Sequence, residues 1–190
     1  NLIKFYKTYL DISFFKKSVV IDGHEITRLT GVDLIYQIVQ QDWMKNRKIY
    51  LLGGADNVSS HAVNRLKRIN PDIIFRSSNG QKNIRGFLES QENAVENSRI
   101  IADINNFAPD VLLVAYGHPW QDLWIDSFND ELKYTVAIGV GGSFDYIAGR
   151  VLRAPGWMRS LGLEWLYRLV MQPKRFKRIV RATWNFANLV

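Results

Sequence analysis

Residues 138–178 read IGVGGSFDYIAGRVLRAPGWMRSLGLEWLYRLVMQPKRFKR, and this stretch decides the fold class. It belongs to a short apolar strand over residues 135–140 that runs into Gly141 and Gly142. Asp145 and Gly149 follow, then Arg153-Ala154-Pro155 and an aromatic, basic helix carrying Glu164, Trp165, Tyr167 and Arg168. A strand ending in glycines is where an open α/β sheet places ligands, because the backbone can approach them and nearby helix N-termini favour anions. Arginines combined with Trp and Tyr suit phosphate and a membrane interface. The competing reading is a C-terminal strand and helix whose aromatics are core.

Working outward, the same strand, glycine turn and helix recur. Residues 48–52 form a buried-type strand that ends in Gly53 and Gly54, with a helix over Val58–Ile69. Residues 111–116 are strongly apolar, and Gly117-His118-Pro119-Trp120-Gln121-Asp122 turns into a helix from about Leu123. Shorter strands are predicted over residues 18–21, ending at Asp22-Gly23-His24, and over residues 71–75. Helices are predicted over residues 1–17, over about ten residues after Thr30 (with Thr30 or Asp33 as cap), and over residues 96–106. Residues 77–97 are polar and irregular and read as a loop with some helix near the ligand site.

This alternation predicts an α/β fold, a Rossmann-like parallel sheet with helices on both faces. It ends near Gly149, which leaves a mainly helical, basic C-terminal appendage. The expected organisation is therefore a catalytic core over residues 1–149, completed by residues 150–190. Neither GxGxxG nor GxxxxGK[ST] is present, so a nicotinamide oxidoreductase and a P-loop NTPase are unsupported.

A chain of 190 residues can bury a substantial core. It has no cysteine, which rules out disulfides and thiolate ligands, and no apolar run of membrane-spanning length. The net charge is +7, and residues 150–190 alone carry nine Lys or Arg against Glu164, a net +8; residues 1–149 are left at −1. A basic segment can meet nucleic acid, anionic lipid or a phosphorylated substrate. A nucleic-acid-binding domain, or a non-catalytic nucleotide-binding domain, is the alternative reading. Against nucleic acid, the charge is confined to the tail and no nucleic-acid motif appears.

The string VGGSFDYIAGRVLRAP, then GLEWLYRL and a Pro-x-Arg-Phe-x-Arg ending, resembles the C-terminal signature of the WecG/TagA/CpsF glycosyltransferases. Asp22-Gly23, Gly31-Val32-Asp33, Leu51-Leu52-Gly53-Gly54 and residues 117–122 match further family motifs in the family's order, over nearly the whole chain. The resemblance implies transfer of a sugar from a nucleotide diphosphate donor, expected to be a UDP-sugar, to a polyprenyl-diphosphate-linked acceptor. N-acetylmannosamine, its uronic acid and glucose-type sugars are the candidate cargo. The implied setting is cytoplasmic, peripheral on the inner face of the bacterial membrane, in surface polysaccharide or teichoic acid synthesis. The family has a strand before the first helix, so a missing N-terminal segment is expected. Self-association is left open.

For the residues, the resemblance implies that Asp22 is the general base; an Asx-turn is the competing reading. Arg28 matches a family arginine near the active site, or is a solvated surface charge. Gly53, Gly54, Gly117, Gln121, Gly141 and Gly142 are expected to line the donor crevice. Asp145 is a second candidate base or donor contact, or a first-turn residue of its helix. Trp120 and Asp122 stand where the family has Lys and Glu, so a phosphate contact by Trp120 is lost. Arg153, Arg168, Arg175 and Arg178 match tail arginines suited to the acceptor diphosphate or the membrane. No Asp-x-Asp occurs and the three histidines are scattered, so no metal and no cofactor are expected, and arginines with helix N-termini would neutralise the diphosphate.

Overall fold

The computed structural model describes residues 18–21, 24–27, 29–161 and 163–171. Within them, four parallel strands form one sheet, in the spatial order Ile74–Ser78, Lys48–Gly53, Val111–Ala115, Val136–Gly139. These are β3 (Lys48–Gly53), β4 (Ile74–Ser78), β5 (Val111–Ala115) and β6 (Val136–Gly139). Helices α1 (Gly31–Val39), α2 (Val58–Ile69), α3 (Gln91–Phe107), α4 (Trp120–Ser127) and α5 (Ser143–Ile147) fill the connections. This is the Rossmann-like α/β architecture expected from the alternation of strands and helices.

Strand pleating explains why both faces are covered. Successive side chains of a strand point to opposite faces, so a strand buried on both sides is continuously apolar. Ile49 and Leu51 of β3, with Val111 and Leu113 of β5, join Val32 and Ile35 of α1, Ala62 and Leu66 of α2, and Phe144 and Ile147 of α5 in one cluster. Tyr50, Leu52, Leu112 and Val114 point the other way, into a cluster with Ile100, Ile101 and Ile104 of α3 and Trp124 of α4. Thr30 caps α1, its hydroxyl oxygen accepting the Asp33 N–H at 3.2 Å.

Three expectations need correction. Residues 18–21 are a strand, β1 (Ser18–Ile21), but β1 pairs antiparallel with an unanticipated β2 (His24–Thr27) in a separate two-stranded sheet. The edge strand β4 lies three residues later than predicted, because its exposed Arg76 and half-buried Ser77 and Ser78 look like loop. Helix α3 begins at Gln91 rather than at 96, capped by Ser90 Oγ, which accepts the Asn93 N–H at 3.2 Å.

The chain divides into two compact units. Leu29–Leu152 contains the whole parallel sheet; the second unit joins Asn1–Arg28 to Arg153–Val190. The described part of the second unit holds β1, β2 and two helices, α6 (Gly156–Ser160) and α7 (Glu164–Met171). Leu163 N–H donates to Met158 O at 2.8 Å in the turn between these helices.

Candidate active site

Register brings the strand ends into one row. Leu52 lies opposite Ser78 and Val114, and Val114 lies opposite Gly139. The turns that follow β4, β3, β5 and β6 therefore emerge side by side along the C-terminal edge. The connection from β3 runs outward through α2 to β4, and the next returns through α3 past β3 to β5. The order reverses between β3 and β5, and such a switch point is where open α/β sheets bind ligands.

Backbone conformation at this edge depends on glycine. Gly53 and Gly54 have φ of +99° and +84°, a region that side chains disfavour. A Cβ on Gly53 would lie 3.1 Å from the Ala115 carbonyl, so β3 and β5 approach closely where they end. Gly117 and Gly141 also have positive φ.

Gln121 joins two of the turns. It is buried in the first turn of α4, and its Oε1 accepts the Gly141 N–H at 2.9 Å. Its own N–H donates to Gly117 O at 3.0 Å. Asp122 holds the His118 ring through Nδ1 at 3.0 Å. Ser143, at the start of α5, returns its hydroxyl to Val140 O at 2.6 Å, and a Cβ on Gly31 would stand 2.6 Å from that hydroxyl. The N-terminus of α1 thus abuts the β6 turn.

The turn after β4 is fastened by polar contacts that the sequence does not advertise. Asn79 Nδ2 donates to Asn57 Oδ1 at 3.0 Å, and Gln81 N–H donates to the Tyr116 hydroxyl at 2.8 Å. Behind it, buried Gln81 donates through Nε2 to Asn93 O, while Asn97 donates to Phe87 O at 2.8 Å. Trp124 Nε1 donates to Asn97 Oδ1 at 3.0 Å. Burial pushes the Tyr116 hydroxyl well above the ordinary phenol range, with Glu96 adding to the effect and the Gln81 N–H opposing it. Asn57 occupies the N-cap of α2 without capping it, and Pro119 supplies no side-chain cap to α4. Two helix N-termini without side-chain caps therefore follow β3 and β5 at the switch point.

Of the residues singled out from sequence, Gly53, Gly54, Gly117, Gln121, Gly141 and Gly142 lie on this edge. Asp145 is in the first turn of α5, half-buried, and adds to the field that raises the Arg150 pKa, chiefly the work of the hydrogen bond from Arg150 to Asp56. Arg150 Nη2 lies 2.7 Å from Asp56 Oδ2. Arg153 precedes α6 and Arg168 lies on α7, in the second unit. Asp22, Arg28, Arg175 and Arg178 lie outside the described residues. Gly80 and Gln81 belong to the polar loop expected near the site, but neither they nor Tyr116 stand out individually in the sequence. Among the described residues no group of three or more His, Cys, Asp or Glu is placed to hold a metal ion, and no helix is long and apolar enough to cross a membrane.

Comparison with known proteins adds a direct finding. The sequence pattern of the glycosyl transferase WecG/TagA/CpsF family matches residues 18–190. The chain is 34% identical over 155 residues to the N-acetylglucosaminyldiphosphoundecaprenol N-acetyl-beta-D-mannosaminyltransferase of Bacillus subtilis strain 168, covering 81% of this chain and 56% of that protein. The protein of the same name from Bacillus spizizenii is 32% identical over the same shares. The Staphylococcus aureus MW2 protein of that name is 28% identical over 191 residues, covering 94% of this chain and 71% of the relative. The chain thus spans about half the length of the two Bacillus relatives.

Proposed function

The chain belongs to the WecG/TagA/CpsF glycosyltransferase family, and on that premise we propose that it transfers a hexose from a uridine diphosphate donor to a polyprenyl-diphosphate-linked acceptor. The relatives' names make N-acetylmannosamine the first sugar to test and a lipid-linked N-acetylglucosamine diphosphate the first acceptor. The observation that carries the reading is the row of glycine turns at the β3/β5 switch point, flanked by the N-termini of α2 and α4. Close backbone approach and oriented amides suit a nucleotide diphosphate.

In this reading the acceptor hydroxyl attacks the anomeric carbon opposite the diphosphate. The bond to the diphosphate oxygen breaks, UDP leaves with the electron pair, and the configuration inverts. Asp22 takes the hydroxyl proton. Arginines and helix N-termini neutralise the departing diphosphate without a metal, since the sequence has no Asp-x-Asp pair. Arg153, Arg168, Arg175 and Arg178 are assigned to the acceptor diphosphate, which Arg can grip bidentately.

The tail is also proposed to rest on the cytoplasmic face of the membrane. Its composition supports this, as do the exposed apolar side chains Trp157, Leu161, Leu166, Val170 and Met171 in α6, α7 and the turn between them. The test is incubation with UDP-N-acetylmannosamine and a short-chain lipid-linked N-acetylglucosamine diphosphate, with the product read by mass spectrometry, beside a thermal-shift panel of uridine, guanosine and thymidine diphosphate sugars. A disaccharide product and stabilisation by uridine compounds are expected. Stabilisation by NAD or an unspecific oligonucleotide, with no effect of any nucleotide sugar, overturns the proposal.

A further inference from the structure

The side chain of Tyr116 crosses the switch point. It leaves the end of β5 and passes the end of β3, where a Cβ on Gly53 would stand 3.2 Å from its Cδ1. It then reaches the turn after β4, where a Cβ on Gly80 would stand 2.7 Å from its Cε1. Three adjacent strand ends thus meet one ring, and at two of them the partner is a glycine with positive φ. A side chain at Gly53 or Gly80 would have to displace the ring or the turn.

The ring is held from below. Trp124, fully buried, meets it edge-on with centroids 5.7 Å apart, and Trp124 is itself fixed by its bond to Asn97. At the far end the phenol oxygen accepts the Gln81 N–H at 2.8 Å. Tyr116 as a residue is half-buried. The ring thus lies across the strand ends at the switch point, and its hydroxyl engages the turn at residues 79–81.

We infer that Tyr116 is a positioning residue for the donor nucleotide: by holding the Asn79-Gly80-Gln81 turn against the ends of β3 and β5, it sets the width of the crevice at the switch point. This rests on the proposed binding of a uridine nucleotide there. Removing only the hydroxyl leaves the ring and its packing, but frees the Gln81 N–H and lets the turn move. A site assembled from several turns loses affinity when one of them is no longer preorganised. A net backbone hydrogen bond of about 1 kcal/mol corresponds to roughly fivefold in affinity.

The experiment is calorimetric titration of uridine diphosphate into wild type, Tyr116→Phe, Gly80→Ala, Tyr116→Leu and the Gly80→Ala/Tyr116→Leu double variant, with amide exchange of Gln81 followed in parallel. Tyr116→Phe is expected to raise Kd about fivefold and to speed exchange at Gln81. Gly80→Ala is expected to weaken binding more in the wild-type background than once the ring is replaced by Leu, because the overlap is then gone and only the strain of the positive φ is left. If wild type binds and Tyr116→Phe binds equally well, or Gly80→Ala costs the same in both backgrounds, the inference fails while the crevice stands. If wild type binds no uridine diphosphate, the donor reading falls and takes this inference with it. Unaltered exchange at Gln81 in Tyr116→Phe removes the structural basis independently of any nucleotide.

Discussion

Gly141 N–H and Gln121 Oε1 meet at 2.9 Å, which ties the turn after β6 to the first turn of α4. The glutamine was expected to face the donor. Its Oε1 is engaged by this bond, so any effect of Gln121 on the donor passes at least partly through the shape of the Gly141-Gly142 turn. Gln121→Ala leaves that half-buried amide without this partner, a loss of about 1 kcal/mol. Uridine diphosphate binding is expected to weaken by about tenfold, more than the folding loss implies, because the turn is released as well. Urea denaturation and titration on the same preparation separate the two effects. Unchanged binding with lowered stability makes Gln121 purely structural.

A related test concerns Gly139. A Cβ there would fall 2.7 Å from Gln121 Cδ and 2.9 Å from Asp122 Oδ1. Gly139→Ala must push the glutamine off Gly141, at an overpacking cost of about 1–3 kcal/mol. Adding Gln121→Ala removes the nearer obstruction and leaves only Asp122, so the double variant is expected to be more stable than the sum of the two single losses predicts. Additive losses in the urea midpoints contradict this packing.

Two buried phenols predict the alkaline limit of stability. Burial pushes Tyr50 well above the ordinary phenol range, and its hydrogen bond to Asp103 and that residue's charge push it further, against smaller lowering effects from Ser78 and Arg76. Tyr116 is raised chiefly by burial. A raised folded pKa means the stabilising contribution is complete below the unfolded value near pH 10 and is lost as pH rises through the folded value. Stability is therefore expected to fall above about pH 10, with each tyrosine adding up to about 1.4 kcal/mol per pH unit to the slope. Urea midpoints from about pH 8 to pH 11 should decline less steeply in Tyr50→Phe and in Tyr116→Phe than in wild type. Identical slopes in all three proteins would mean neither hydroxyl is buried as described.

These residues also show what sequence could and could not reveal. Continuous apolar runs such as residues 49–52 and 111–116 expose the central strands, because burial on both faces leaves no polar position. Helix α2 falls on Val58–Ile69, its predicted span, since its apolar stripe is regular. The outer parts were harder. Asn93 reads as loop and Asn97 as the edge of a helix, yet both are buried in α3 and donate to the Gly86 and Phe87 carbonyls of the preceding segment. Polar groups satisfied over such distances leave no hydropathy signal. The glycines of the site were visible one by one; that Gly53 and Gly80 share the Tyr116 ring follows only from strand order. The pairing of β1 with β2 was hidden for the same reason, since apolar alternation does not name a partner strand.

The assignment of Asp22 as base is tested by Asp22→Asn. Loss of a general base typically costs about 10²–10⁴-fold in turnover, so a fall of that size with uridine diphosphate affinity kept is expected. Near-normal turnover would move the role elsewhere, with Asp145 next to be tested. A chelator is expected to leave wild-type activity unchanged; inactivation reversed by Mg²⁺ would replace the metal-free reading.

The last prediction concerns residues 150–190, with their net +8 charge and the aromatics Trp157, Trp165, Tyr167, Phe176, Trp184 and Phe186. Trp157, Leu161 and Val170 are each more than 60% exposed, a large apolar presentation for so short a segment. Apolar side chains beside arginines suit a headgroup boundary, where each engaged basic residue contributes about 1 kcal/mol. Four such contacts together would hold the protein reversibly, and screening by salt would release it. The acceptor's diphosphate lies at that same boundary, so docking and acceptor capture are expected to be lost together. Full-length protein should sediment with vesicles containing anionic lipid at low salt and much less at high salt or with neutral vesicles. A truncation ending at Leu152, which retains the compact unit with the parallel sheet, should stay in the supernatant, keep uridine diphosphate binding and fail to glycosylate a lipid-linked acceptor. A truncated protein that pellets and turns over like the full chain would reduce the tail to a solvated basic segment.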